Sequence, residues 1–376
     1  MASIEIRNNV IRSARLIVVK IGTNVLTGAD GKLDRRLIGR LARQIAQHHT
    51  AGRRFVVVSS GAVGAGMGEL GIATRPRQLP QLQAAAAVGQ KHLMNLFSAA
   101  FARDGLHAAQ LLLTRSDFES RTRYLNIRNT IDALHHARAI PVINENDVVA
   151  VDEIRFGDND LIAALTTNLL RADLMILLTV VDGLLDGAGR RIDLVDRVTP
   201  AVARLAQASR SSLGSGGMRS KLEAIRHVTE SGEVAMIANG RSPSVITRIL
   251  EGRRVGTVFL PMARKLDSRR RWIGMTVRPA GQVHVDAGAA RALTQAHKSL
   301  LPGGIVAVTG QFARGDVVAV VAPDGRQIAR GLSQYGAAQI ERIKGAKTSQ
   351  IAERLGSAGP HPDEVIHRNS LVVLEP

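Results

Sequence analysis

The sequence predicts an α/β protein with a mostly parallel sheet flanked by helices, followed by a second, small β-rich domain. Three observations carry this. Short apolar runs alternate with helix-period patterns through the first two thirds of the chain, as right-handed strand-helix-strand units require. Near residue 261 the pattern gives way to PMARKLDSRRRWIGMTVRPAG, where prolines and arginines gather. Beyond it VHVD, GIVAVTG, DVVAVVAPDGRQIARGL and NSLVVL read as short strands, with Asp324-Gly325 as a hairpin signal. The expected division is a domain over 1–262, a basic linker over 263–278 and a second domain over 279–376.

In the first domain LIVVK (16–20) predicts a strand, LIGRLARQIAQHH an amphipathic helix and RFVVVSSG (54–61) a second strand. QLQAAAAVGQKHLMNLFSAAFARDG then predicts a long helix, HAAQLLLT a strand, YLNIRNTIDALHHAR a helix and IPVINEND a strand. DLIAALTTNLLRA follows as a helix and DLMILLTVV (173–181) as a buried strand. A hairpin is expected around LLDGAGRRIDLV, then a helix, the glycine-rich GSGGMRSK, another helix, and the strands VAMIANG and GTVFL.

Composition excludes several classes. With no cysteine among 376 residues, disulfides and thiolate metal sites are ruled out. No apolar run approaches the ~18 residues of a membrane span. MASIEIRNNVIRSAR lacks the hydrophobic middle of a signal peptide, so a cytoplasmic protein is expected. The formal net charge of +18 is unevenly placed: residues 1–277 hold 39 Lys+Arg against 24 Asp+Glu, and 278–376 hold 11 against 8. The densest basic stretch sets Arg253, Arg254, Arg264, Lys265, Arg269, Arg270, Arg271 and Arg278 against Asp267. A solvated linker or subunit contact is its plain reading, phosphate or RNA contact the rival one.

Two motifs are discounted. Gly66, Gly68 and Gly71 have dinucleotide-fingerprint spacing, but begin well past the strand end and lack the acid expected about 20 residues on. His48 with His49, and His135 with His136, are adjacent pairs on different helix faces, unlike metal ligands.

The chemistry gathers where strands end. INENDVVAVDEIRFGDNDLIAAL (143–165) sets six carboxylates against Arg155 alone, so a cation belongs among them: a metal, a lysine or a ligand ammonium. Lys20 ends an apolar run and precedes Gly22 and Thr23, a cation beside amides able to bend toward an anion, or simply a solvated strand end. Ser59, Ser60 and Gly61 lead from a strand into a helix, where main-chain amides suit a carboxylate or phosphate. Gly216 and Gly217 enter a helix that soon carries Lys221, which suits a triphosphate. Positive loops facing a carboxylate cluster fit phosphoryl transfer to a carboxylate, where two anions must be held in line. On this reading Asp158 and Asp160 bind magnesium and fix the lysines, and Asp147 with Asn144 receives a substrate ammonium.

These segments, VVKIGTNVLTG, VVSSGAVGAG, LLTRSDFESRTRYLN, PVINENDVV, FGDNDLIAAL, LLTVVDGL and GSGGMRSK in that order, resemble the amino acid kinase superfamily and within it the glutamate 5-kinases. LLPGGIVAVTGQFARGDVVAVV and ARGLSQY resemble a PUA domain, a module that binds RNA in other proteins. The resemblance implies ATP- and magnesium-dependent phosphorylation of the L-glutamate side chain, a homo-oligomer and feedback inhibition by proline. It implies that Lys20 and Lys221 stabilise the transferring phosphoryl group and that Asp160 orients them. Ser60 beside Gly61, Asp147 and Asn159 would bind glutamate. Thr179 beside Val180, and the segment Ser215, Gly216, Gly217, Met218, Arg219, Ser220, Lys221, would contact ATP. Similar members carry Asp and Tyr where this chain has Val180 and Leu185, and threonines where it has Ser215 and Ser220. The rival readings are another small-acid kinase of the superfamily, and an RNA-binding regulator on a kinase scaffold, which the near-balanced charge of 278–376 disfavours.

Overall fold

The computed structural model describes residues 2–28, 31–150, 159–208, 217–262, 268–356 and 361–374, in two compact units, Met1–Lys265 and Leu266–Pro376. In the first unit the strands are β1 (Leu16–Ile21), β2 (Arg54–Ser59), β3 (His107–Leu113), β4 (Ala139–Glu145), β5 (Leu174–Thr179), β6 (Leu194–Val195), β7 (Val234–Asn239) and β8 (Thr257–Phe259). They form an eight-stranded sheet in the order β3-β4-β2-β1-β5-β7-β8-β6. Only β7 and β8 pair antiparallel; the other neighbours are parallel. Parallel strands are covered on both faces, so they read as unbroken apolar runs rather than alternations. Every residue of β1 is buried, and Ile17, Val19, Leu174 and Ile176 join one core with Leu41, Ile45 and Phe97 from the covering helices.

The helices bear out the periodicity. Arg35–Thr50 starts where Asp34 accepts from the Leu37 amide at 2.9 Å, a cap worth about 1 kcal/mol. Of the discounted fingerprint, Gly66 serves packing, while Gly71 takes φ +66° in a turn. A Cβ on Gly66 would lie 1.7 Å from the Ala85 carbonyl oxygen, and one on Gly89 would lie 1.9 Å from that of Ala62. The helices Ala62–Glu69 and Leu79–Ala102 therefore cross at backbone contact. His135 is likewise structural: its Nε2 lies 3.0 Å from the Phe55 carbonyl oxygen. Around LLDGAGRRIDLV there is a single Leu185–Arg191 antiparallel bridge, and β6 beyond it pairs parallel to β8, so the expected hairpin closes only as a turn.

The second unit holds β9 (Gly281–Val285), β10 (Ile305–Gly310), β11 (Val317–Val321), β12 (Gln327–Leu332) and β13 (Leu371–Val373) in the order β10-β9-β11-β12-β13. Its own core includes Val283, Ile305, Val318, Val320 and Ile340. Gly325 takes φ +80° in the β11–β12 hairpin, as its Asp-Gly signal requires. This unit starts before residue 279. Residues 263–267 lie outside the described residues, but from Ser268 the expected linker is a folded part of the unit. Trp272 and Ile273 are buried, in a π-turn over Trp272–Thr276. The Arg330 guanidinium donates to the carbonyls of Gly274 at 3.0 Å and Val277 at 3.2 Å. The arginine run hid an apolar pair that packs, and buried backbone acceptors require such a donor.

Candidate active site

The chemistry converges at the carboxyl ends of the central strands, the edge where parallel sheets bind ligands. Lys20 is the penultimate residue of β1 and is 5% exposed. Asp160, 2% exposed, lies in the first turn of the helix Asn159–Leu170, where the helix dipole favours a carboxylate. Lys20 Nζ is 2.7 Å from Asp160 Oδ1, and Lys221 Nζ donates to Asp160 Oδ2 at 3.2 Å. Ser220 Oγ donates to the same Oδ2 at 3.1 Å. Burial pushes the Asp160 carboxyl up, but Lys20 and Lys221 together outweigh it and hold the group below the usual carboxylate range. Burial lowers the Lys221 ammonium, helped by Lys20, more than Asp160 raises it. Two buried ammoniums thus share one carboxylate, and the surplus positive charge favours an incoming anion.

The glycine loops frame this cluster. The Gly22 amide donates to the Leu178 carbonyl at 3.2 Å, tying the end of β1 to β5 and placing the exposed Thr23 at the start of a short helix. A Cβ on Gly22 would come within 3.7 Å of Lys20 Nζ. Ser60, 8% exposed, donates its amide to the Ile21 carbonyl at 3.2 Å. Gly61 follows with φ +99°, a left-handed turn that glycine makes without strain and that starts the helix Ala62–Glu69. Thr179 ends β5, with Val180 exposed beside it. Ser215 and Gly216 lie outside the described residues. Gly217 caps the helix Met218–Glu230, which brings Ser220 and Lys221 to Asp160, whereas the Arg219 side chain is 83% exposed and pairs with Glu223.

The substrate-side residues divide. Asn159 is 8% exposed, and its Oδ1 is buried with no hydrogen-bond partner among the described residues. Asp147 is half-buried and its carboxyl is pushed up to about 6 by burial, with Arg75 pulling the other way. Asn144 is held by its neighbours. It is 1% exposed; its Nδ2 donates to Gln90 Oε1 at 2.8 Å and its Oδ1 accepts from the Glu145 amide at 2.9 Å. One N–H and one oxygen lone pair of the amide are thus engaged, so Asn144 props the loop through Gln90. Sequence reasoning missed Gln90, whose signal was a single amide in the alanine-rich run AAAAVGQ. Beside it a cavity of ≈ 400 Å³ is lined by Gln90, Lys91, Gln110, Glu145, Asn146 and Asp147 among others.

Comparison with known proteins agrees with this geometry. Residues 15–239 match the amino acid kinase family, and 281–355 match the PUA domain. A glutamate 5-kinase of Moorella thermoacetica is 46% identical over 367 residues, covering 96% of this chain and 97% of that one. The glutamate 5-kinase of Geobacter sulfurreducens is 46% identical over 374 residues, covering 98% and 100%. The chain belongs to the glutamate 5-kinases of the amino acid kinase family. Among solved structures, a carbamate kinase from Giardia lamblia bound to AMP-PNP covers 66% of this chain and 99% of its own, at 18% identity and a TM-score of 0.47.

For a glutamate 5-kinase the metal question is open to a geometric test. Asp158 lies outside the described residues. Asp160 has a lysine ammonium on each oxygen, which is a poor environment for a further cation. Among the described residues no cluster of three or more His, Asp or Glu could hold a metal ion. Of the expected pair only Asp160 is described, and both of its oxygens face ammoniums. No helix among the described residues is long and apolar enough to cross a membrane.

Proposed function

We propose that this chain transfers the γ-phosphoryl group of ATP to the side-chain carboxylate of L-glutamate, giving L-glutamyl 5-phosphate, the first step of proline biosynthesis. The observation that carries the reading is the shared carboxylate: Asp160 holds Lys20 and Lys221 together at the sheet edge. A carboxylate oxygen attacks the γ-phosphorus, the bond to the bridging oxygen of ADP breaks, and negative charge passes from nucleophile to leaving group. Lys20 and Lys221 sit where both anions are neutralised, and Asp160 keeps the two ammoniums from separating. The Asp147 carboxylate and Asn159 Oδ1 take the substrate ammonium, while the Ser60–Gly61 turn takes its α-carboxylate. Thr179, Val180 and the loop ending at Lys221 contact the nucleotide. ATP would enter as its magnesium complex, whose cation would supply charge neutralisation on the phosphates.

The half-exposed apolar edge strand β3 supports a homo-oligomer. Proline, with an ammonium and a carboxylate of its own, is expected to compete at Asp147. The deciding experiment incubates the chain with ATP, magnesium and L-glutamate in hydroxylamine, which traps an acyl phosphate as a hydroxamate. Formation dependent on glutamate supports the reading, and acetylglutamate, aspartate or carbamate as the preferred acceptor would replace it.

A further inference from the structure

The end of the large sheet opposite the active site carries arginine where its central strands begin. Arg15 precedes β1, Arg53 precedes and Arg54 opens β2, Arg138 precedes β4 and Arg171 lies three residues before β5. The registers align them. Leu16 pairs with Arg54, Val57 with Val142, and the Arg54 amide donates to the Arg15 carbonyl at 2.7 Å. Carried back to the strand starts, these registers put Arg15, Arg53 and Arg138 level on three adjacent strands, about 5 Å apart per step. Arg15, Arg54, Arg138 and Arg171 are exposed, and Arg53 is half-buried.

The row is poorly compensated. Asp173 spends an oxygen on the Arg15 and Leu16 amides, at 2.9 and 3.0 Å. Glu251 pairs with Arg253. Among the described residues, none of Arg15, Arg53, Arg54, Arg138 and Arg171 makes a salt bridge. The neighbours feel the surplus: burial lowers Arg53 with Arg15 adding to it, and burial lowers His49 and His135 with Arg138 and Arg54 respectively contributing. Arg138 and Arg171 also hold φ values of +55° and +53°, where glycine is the relaxed residue, so the charges stand on strained backbone.

The geometry points to a docking surface for the sugar–phosphate backbone of a nucleic-acid duplex at this amino-terminal edge of the sheet, formed by Arg15, Arg54, Arg138 and Arg171. The Arg53 guanidinium turns to His48 Nδ1 at 3.2 Å and to the Arg12 carbonyl at 3.3 Å, so the exposed Arg15, Arg54, Arg138 and Arg171 carry the contact. Several arginines along one sheet edge suit a polymer with a charge on every repeat better than a single small anion, and arginine matches phosphate bidentately. Among the described residues the exposed large hydrophobic side chains include no aromatic, so none is offered to stack an unpaired base, which favours a duplex over a single strand. Sequence-independent binding follows, because the contacts are to phosphates alone. Most of the net positive charge lies in this unit: residues 1–265 hold 36 Lys+Arg against 23 Asp+Glu, and 266–376 hold 14 against 9.

The test is fluorescence anisotropy of the full chain with a labelled mixed-sequence duplex of about 20 base pairs, between about 50 and 200 mM salt. About four phosphate contacts predict affinity falling about 100-fold over that range. The triple variant Arg15→Gln, Arg54→Gln, Arg138→Gly should bind at least ~10-fold more weakly and flatten the salt slope by about 3, with its melting temperature kept. Arg342→Gln, Lys344→Gln, Lys347→Gln in the second unit should leave binding as in the parent. The proposal is overturned by no binding at the lower salt, by an unaffected first triple, by loss in the second triple instead, or by poly-L-glutamate competing charge for charge, which would indicate an acidic protein partner.

Discussion

Lys20 Nζ lies 2.7 Å from Asp160 Oδ1, across a separation of 140 residues in sequence (160 − 20), and the other oxygen of that carboxylate accepts from Lys221. A strand end, a helix start and a second helix start meet on one buried side chain, so removal of any partner has a distinct signature.

Lys20→Ala and Lys221→Ala should each lower kcat by about 100- to 1000-fold, roughly 3 to 4 kcal/mol, with smaller changes in KM. In the proposed reaction both charges act where negative charge moves. Hydroxamate formation at saturating glutamate and ATP measures this, and a near-parental kcat with a raised KM would make that lysine a binding residue only.

Asp160→Asn should be the variant most costly to folding. It leaves two buried ammoniums facing a neutral amide, a loss of about 3 to 5 kcal/mol for an uncompensated buried charge. Urea unfolding reads the effect. Adding Lys221→Met should restore part of the stability without restoring activity; an unaltered midpoint for Asp160→Asn alone contradicts the assignment.

Asp147 has its carboxyl pushed up to about 6 by burial, against an unfolded value of 3.8. Its folded form holds the proton more tightly, so native stability is lost as pH rises between those values and ionised Asp147 is a burden at neutral pH. Asp147→Asn should therefore raise the melting temperature at pH near 7.5 and leave it unchanged near pH 3.5. Catalysis runs the other way: kcat/KM for glutamate should fall as pH drops below about 6, and the variant should lose that limb. A pH profile identical in parent and variant would remove Asp147 from the substrate site.

Gln90→Leu should raise KM for glutamate about tenfold and change kcat less. It removes the acceptor for Asn144 Nδ2, freeing the strut below Asp147 and leaving a buried donor unsatisfied, a cost of about 1 to 3 kcal/mol. Gln90→Glu, which keeps an acceptor at that distance, should recover much of the binding. Separate titrations of ATP and glutamate distinguish this from general damage, which would weaken both.

The sequence by itself determined the parallel sheet, because strands buried on both faces must be written as apolar runs, and a lysine, serine or threonine ending such a run marks a strand end. Lys20, Ser60 and Thr179 were legible for that reason, and Asp160 and Lys221 because helix starts favour glycine and acid. Tertiary structure alone decided what these residues touch. That Gln90 clamps Asn144 is a contact between a helix residue and a strand residue 54 apart in the chain. The same holds for the linker: its arginines dominate the local composition, yet Trp272 and Ile273 are buried by a sheet built of later residues. The level row of Arg15, Arg53 and Arg138 exists only through strand register, which no local pattern encodes because each arginine belongs to a different strand.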